Sequence, residues 1–149
     1  MESGYLVMTI SANPIKSWQT RPLFNGEAEG EVLRFDAPIS FWGGVNPETA
    51  EVSLAGHPQQ GEVITNKIVV IPSLIGSSSS SAVILELYYR NIAPTALILG
   101  EIDAILPIGV LVASQMGWST APIVMLENPP FVSRTKIRIS LAGLLTILS

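Results

Sequence analysis

Five consecutive serines, Ser77 to Ser81, follow Gly76 between two apolar segments, NKIVVIPSL and AVILELYYR. A buried strand, a glycine–serine loop and a helix in this order present backbone N–H groups at the helix N-terminus, where the helix dipole attracts carboxylate or phosphate groups. Serine hydroxyls add donors that also accept, and Gly76 lets a ligand approach the backbone. Two interpretations stay open: an anion-binding loop, or a helix cap with a flexible loop, which the residues alone favour.

The serine loop matches neither a phosphate-binding P-loop nor the nucleophile elbow of hydrolases. It contains no lysine, and Gly76-Ser77-Ser78 lacks the second glycine of the Gly-x-Ser-x-Gly pattern. The single histidine of the chain, His57, stands beside Pro58 in a predicted turn. We interpret His57 as a structural turn residue, with a general acid or substrate contact as the alternative.

Two carboxylates and a double glycine are further candidates for chemistry. Glu101 and Asp103 could ligand a hard cation, but two carboxylates without further oxygen donors are a weak pattern. Gly43 and Gly44 predict a tight turn rather than a substrate loop. The two aromatic residues before them are expected in the core or at an interface.

Arg134, Lys136 and Arg138 alternate with neutral or apolar residues, so one face of that predicted strand is basic. We interpret this face as solvated. A partner-facing or anion-facing strip is the alternative, because these three are among only eight cations in the chain. The earlier segment GEAEGEVLRF alternates in the same way and predicts a strand with its glutamates in solvent.

Length and composition limit the class of protein. The 149 residues suit a single domain, predicted over residues 1–149. Charged residues make up only 13%, against roughly 25% in an average domain, which favours burial of some surface against a partner. A net charge of −4 argues against nucleic acid as a partner.

The chain has no cysteine, so it forms no disulfide and supplies no thiolate to zinc or an iron–sulfur cluster. We predict no metal site and no cofactor site in this chain. The N-terminal segment MESGYLVMTI lacks a basic region and is a poor signal peptide. No apolar run approaches the ~20 residues of a membrane helix, so we expect a cytoplasmic protein without membrane contact.

The pattern of elements predicts an α/β domain with a mixed sheet rather than an all-β barrel. NKIVVIPSL and TALILG are typical of buried strands, and the segment after the serines predicts a helix ended by Pro94. PIVMLE, VLVASQ and TKIRISLAG are also expected to be strands. The first 25 or so residues are expected to form an irregular arm, and the C-terminal residues a strand extension.

Several motifs together resemble one family. FWGG, a Pro-x-Thr turn, His-Pro before a glycine, Gly-Ser-Ser after a buried strand, and EIDAILPIGVLVA occur in the order found in the small subunit, or swivelling domain, of aconitase X. The resemblance covers about residues 38–113. It implies a swivelling β/β/α fold with a mixed, barrel-like sheet system and flanking helices.

The resemblance also implies an activity. It implies a hydro-lyase small subunit, inactive without a large catalytic subunit that carries iron or an iron–sulfur cluster, acting on a small hydroxy-acid substrate. It implies that Ser77 is the catalytic base and that Gly76 and Ser78 bind the substrate. Any other serine of residues 77–81 remains an alternative base.

Two branches of the family differ in substrate: cis-3-hydroxy-L-proline or mevalonate 5-phosphate. The FWGG form, the EIDAILPIGVLVAS segment, the C-terminal extension and the lack of an arginine before Gly76 resemble the hydroxyproline branch more closely. A phosphorylated substrate would also call for more cations near the loop. A non-catalytic anion-binding or scaffold module with the same fold is the remaining alternative.

The chain departs from the pattern of this family at three positions. Ala50 and Ser80 stand where glycine is common, and Ile92 replaces a glycine or another small residue. These departures affect the expected conformation of the loops rather than the expected chemistry, because none of them removes Ser77.

Overall fold

The computed structural model describes residues 5–9 and 14–149, which form one sheet with helices packed on it. The strands are β1 (Tyr5–Thr9), β2 (Pro14–Gln19), β3 (Arg21–Phe24), β4 (Ala28–Arg34), β5 (Ile68–Ile71), β6 (Ala96–Leu99), β7 (Ile123–Met125), β8 (Lys136–Ile139) and β9 (Leu144–Ile147). The helices are α1 (Phe41–Gly44), which is a single turn, α2 (Ser80–Tyr89) and α3 (Ile105–Gln115). Among the described residues, none of the helices has the length and hydropathy needed to cross a bilayer.

The sheet has a parallel half and an antiparallel half that share β4. Its strand order is β1-β2-β9-β8-β4-β5-β6-β7-β3. Residues 32–34 of β4 pair in parallel with β5, whereas residues 28–31 pair antiparallel with β8. Strands β5, β6 and β7 continue the parallel half, with α2 and α3 as their connections. The carboxyl ends of the parallel strands therefore meet at one edge, where α/β sheets bind ligands.

Each parallel strand contributes to two separate cores. In β5, Val69 and Ile71 lie in a core shared with α2 and α3, whereas Ile68 and Val70 lie in a second core with β8 and β9. All four residues are fully buried, because one face of the strand meets helices and the other meets strands. This explains the continuous apolar run of the sequence. The predicted mixed α/β fold is confirmed: helices cover one face of the parallel half of the sheet, and the antiparallel half packs on its other face.

The prediction of a strand at VLVASQ is wrong, because this segment belongs to α3. Its buried residues are Leu106, Gly109, Val110 and Ala113, which recur at the spacing of one helical face. Pro107 lies in the first turn, where a missing N–H costs no helical hydrogen bond. The valines suggested a strand, but packing against α2 decides the structure.

The prediction of an irregular N-terminal arm is also wrong for the described residues. β2 pairs with β9, and β3 pairs with β7. Ser17 is buried, and its hydroxyl lies 3.1 Å from the hydroxyl of Thr146. These pairings join residues far apart in the sequence, so the local pattern did not reveal them. The parts of the predicted arm at residues 1–4 and 10–13 lie outside the described residues.

Gly109 allows α3 to approach the first turn of α2. A Cβ at this position would lie 2.5 Å from the carbonyl oxygen of Ser81 and would overlap the Cγ2 of Ile84. The first of these atoms is backbone and cannot rotate away.

We expect Gly109→Ala to lower the free energy of unfolding by about 1–3 kcal/mol, because it forces the helices apart. This loss should outweigh the gain of about 1 kcal/mol in helix propensity. Denaturant titration measures it, with exposed Ser114→Ala as the control on the same helix. An unchanged unfolding midpoint for Gly109→Ala would contradict the close helix packing.

Candidate functional site

Three loops meet at the carboxyl ends of the parallel strands. They comprise residues 35–44 after β4, residues 72–79 after β5 and residues 100–104 after β6. The N–H of Ile75 donates to the carbonyl of Ile39 at 3.0 Å, and the N–H of Leu74 donates to the carboxylate of Glu101 at 2.8 Å. The loop that carries the serines is thus attached to both of its neighbours.

The serine loop leads directly into α2, as the sequence predicted. Ser77 is half-buried, Ser78 and Ser79 are exposed, and Ser80 is buried. Ser79 occupies the N-cap position but makes no side-chain capping hydrogen bond. Ser81 donates its hydroxyl to the carbonyl of Ser78 at 2.9 Å. The structure therefore does not support a capping role for the side chain of Ser79, the serine at the N-cap.

Ser77 lines a small apolar pocket formed by the three loops and the start of α3. Gly76 and Ser80 also line this pocket, and Asp103 is the charged residue among its described lining. The pocket has a volume of about 10 Å³, which is roughly the room needed by one water molecule. It is therefore too small to enclose a substrate.

Each of the three loops carries an exposed apolar side chain. Trp42 is 61% exposed, Ile75 53% and Ile102 57%, and each belongs to one of the three loops. Phe41, next to Trp42, is buried in the core as predicted. An apolar rim of this kind is typical of a surface that is covered by a partner.

The loop has polar groups available for a ligand. Within the described part of the chain, the backbone N–H groups of residues 76–79 and the hydroxyl of Ser77 donate to no acceptor. They lie at the N-terminus of a helix of ten residues, whose dipole favours a negative charge there. The arrangement can stabilise an anion beside Ser77.

Sequence reasoning missed the contact between Ser80 and the turn after β4. The hydroxyl oxygen of Ser80 accepts a hydrogen bond from the N–H of Trp42 at 3.1 Å and lies 3.2 Å from the hydroxyl of Ser40. The one available signal was the serine at a position where the resembling family commonly has glycine.

Glu101 and Asp103 bind backbone groups rather than each other. Glu101 accepts from Leu74, and Asp103 accepts from the N–H of Leu106 at 2.8 Å at the start of α3. No group of three or more His, Cys, Asp or Glu side chains that could hold a metal ion occurs among the described residues. With no cysteine in the sequence, the residues present do not fit iron or an iron–sulfur cluster.

The contacts of His57 support its interpretation as a structural turn residue. The ring is buried, its Nδ1 accepts the N–H of Gln59 at 3.0 Å, and its Nε2 lies 3.0 Å from the carbonyl of Ala37. Because Nδ1 accepts, the proton lies on Nε2 and is donated to Ala37. The ring also packs edge-on against Phe35, with centroids 5.2 Å apart. His57 thus fastens its turn to the loop after β4.

Gly43 and Ala50 adopt backbone conformations that favour glycine. Gly43 has a φ of 79° in the turn formed by α1, so the predicted tight turn is confirmed. Ala50 has a φ of 63° and is fully buried. This left-handed conformation is one that glycine adopts at lower cost than alanine.

The basic strip lies beside the acidic face of β4. Arg138 pairs with Glu29 at 2.8 Å, and Lys136 stands opposite Glu31 in the strand register. A hydrogen bond from Lys67, 2.9 Å away, lowers the pKa of Glu31. The interpretation of a solvated strand face is therefore supported, and exposed ion pairs of this kind contribute little to stability.

Comparison with known proteins gives a consistent result. Residues 17–143 match the family model of the aconitase X swivel domain. The chain is 40% identical over 107 residues to cis-3-hydroxy-L-proline dehydratase of Hypocrea jecorina, an alignment covering 72% of this chain and 18% of that protein. It is 42% identical over 93 residues to the phosphomevalonate dehydratase small subunit of Thermococcus kodakarensis, covering 62% of this chain and 70% of that protein.

The fold is also found in a solved structure. The crystal structure of Thermococcus kodakaraensis aconitase X in its holo form superposes with a TM-score of 0.80 at 34% identity. The match covers 89% of this chain and 98% of the matched chain. The chain thus spans nearly all of that structure's matched chain but less than a fifth of the length of the hydroxyproline dehydratase.

Proposed function

Because the chain belongs to the aconitase X swivel domain family, we propose that it is the small subunit of a dehydratase and shares an active site with a larger catalytic subunit. The observation that carries this proposal is the position of Ser77. Its side chain lines the pocket where the three loops meet and donates to no acceptor in the described residues. Ligands of α/β sheets bind at this edge.

We propose that Ser77 is the base of the dehydration. Its oxygen takes the proton from the carbon next to the substrate carboxylate. The electrons of that C–H bond form a carbon–carbon double bond as the hydroxyl group leaves the adjacent carbon, and the proton and hydroxide together make water. The free N–H groups of residues 76–79 lower the cost of an anionic serine oxygen. Gly76 and Ser78 hold the substrate through backbone N–H groups or the Ser78 hydroxyl.

The large subunit completes the site in this proposal. The pocket of about 10 Å³ on this chain is too small to enclose a hydroxy acid. The exposed Trp42, Ile75 and Ile102 offer apolar surface around it. In this proposal, groups that assist the departure of hydroxide belong to that subunit, as does the iron or iron–sulfur cluster that the family resemblance implies. We expect the assembly to be cytoplasmic.

We propose cis-3-hydroxy-L-proline as the substrate. Asp103 gives the pocket a negative charge, and no lysine or arginine is among its described lining residues. Next to the N–H groups that can hold a substrate carboxylate, the Asp103 carboxylate can pair with the ring ammonium of an amino acid, a group that mevalonate 5-phosphate lacks. Mevalonate 5-phosphate is the second candidate, favoured by the alignment with 70% of the length of a phosphomevalonate dehydratase small subunit.

The proposal predicts that the complex of this chain with its large subunit removes one water from cis-3-hydroxy-L-proline. Mass spectrometry of the reaction mixture would show the substrate replaced by a product lighter by one water. A metal-loaded complex that leaves this substrate intact would contradict the choice of substrate. If it also left mevalonate 5-phosphate intact, the non-catalytic module would be the better account.

A further inference from the structure

Ser80 differs from its neighbours in the serine run because its hydroxyl is held inside the protein. The residue is 5% exposed, whereas Ser78 and Ser79 are exposed. Its oxygen accepts from the N–H of Trp42 at 3.1 Å and lies 3.2 Å from the hydroxyl of Ser40.

The segment of residues 39–42 holds both ends of the serine loop. At one end, Ile39 accepts the N–H of Ile75 at 3.0 Å. At the other end, Ser40 and Trp42 contact the hydroxyl of Ser80. Between these two anchors, no side chain of residues 76–79 makes a hydrogen bond within the described part of the chain.

The second anchor acts directly on Ser77. The N–H of Ser80 donates to the carbonyl of Ser77 at 3.0 Å, so the two residues close one turn. Fixing Ser80 therefore fixes the peptide group of Ser77.

The anchoring segment packs closely on the core through Ile39 and Phe41. Phe41 is 1% exposed. A Cβ on Gly44 would lie 2.6 Å from the Cγ1 of Ile39, so the turn packs closely on the core. Gly43 supplies the left-handed φ that the turn requires.

We propose that Ser80 is a positioning residue, whose hydroxyl ties the start of α2 to the turn after β4 and so sets the direction of the Ser77 side chain. For the reaction itself this inference rests on the proposed function, because it takes Ser77 as the reacting group. A displacement of about 1 Å can cost on the order of 10²-fold in rate.

The test compares single substitutions in the complex with the large subunit. Ser80→Ala should lower kcat on the order of 10-fold to 100-fold and leave KM nearly unchanged, because Ser80 does not bind the substrate. Ser80→Thr retains a hydroxyl and should recover most of the lost kcat. Ser73→Ala is the matched control, since this exposed serine precedes residues 76–79 in the same loop and has no side-chain hydrogen bond among the described residues, and its kcat should equal that of the parent.

Amide hydrogen exchange on the same complexes gives a readout that is independent of activity. In Ser80→Ala, the amides of Trp42 and residue 80 should exchange faster than in the parent, and in Ser73→Ala they should not. A kcat for Ser80→Ala equal to that of the parent, or an equal loss in Ser73→Ala, would overturn the inference. If the parent complex dehydrates neither candidate substrate, the proposed function fails. The exchange rates alone then test whether Ser80 positions the loop, and unchanged rates in Ser80→Ala would contradict that role.

Discussion

Ser77→Ala is expected to lower dehydratase turnover by about 10²–10⁴-fold, the usual contribution of a general acid or base. The alanine variant keeps the backbone N–H groups and the core packing of the loop, but it has no oxygen to take the substrate proton. Ser77 is half-buried and its hydroxyl donates to no acceptor among the described residues, so its loss should leave folding and subunit assembly intact. Steady-state kinetics on the purified complex measures the effect, and gel filtration checks the assembly.

Alanine variants of the next two serines test whether the loss of turnover is specific to Ser77. Ser78→Ala should chiefly raise KM, because Ser78 is proposed to hold the substrate, and Ser79→Ala should change little. Loss of turnover in Ser78→Ala or Ser79→Ala, with Ser77→Ala still active, would assign the base to a different serine. A Ser77→Ala complex that failed to assemble would instead point to a structural contribution of this side chain.

The isolated chain should show no turnover, and addition of the large subunit should restore it. The physical reason is that the pocket beside Ser77, with a volume of about 10 Å³ and an exposed apolar rim, is too small to enclose the proposed substrate. A titration of a fixed amount of this chain with the large subunit should raise the rate until a stoichiometric complex forms. Large subunit reconstituted with Ser77→Ala is the matched control. Turnover by the purified chain alone would show that its active site is complete without a partner.

The parts of the fold that depend on local sequence were predictable. The buried strands before and after α2 and the serine loop between them follow from apolar runs, turn residues and the helical spacing of the next segment. The strands of the N-terminal region did not follow, because β2 finds its partner in β9 at the other end of the chain. The prediction of a strand at VLVASQ was wrong because its β-branched residues are accommodated in α3, where Gly109 lets α3 pack closely on α2.

The candidate site was also predictable only in part. Gly76 and Ser77 stand out in the sequence because a glycine–serine loop between a strand and a helix has a recognisable chemistry. The contact of Ser80 with Ser40 and Trp42 joins two loops about forty residues apart, and no local pattern encodes it. The sequence indicated Asp103 only as part of a weak pattern for cation binding, whereas the structure places it at the pocket that Ser77 lines.

The most direct measurement of the central claim is a competition assay with the reconstituted complex. Equal concentrations of cis-3-hydroxy-L-proline and mevalonate 5-phosphate are incubated together, and mass spectrometry follows the loss of one water from each. We expect cis-3-hydroxy-L-proline to be consumed, mevalonate 5-phosphate to persist, and both to persist with the Ser77→Ala complex. Consumption of mevalonate 5-phosphate alone would overturn the substrate, and unchanged consumption with Ser77→Ala would contradict the claim that this domain supplies the base.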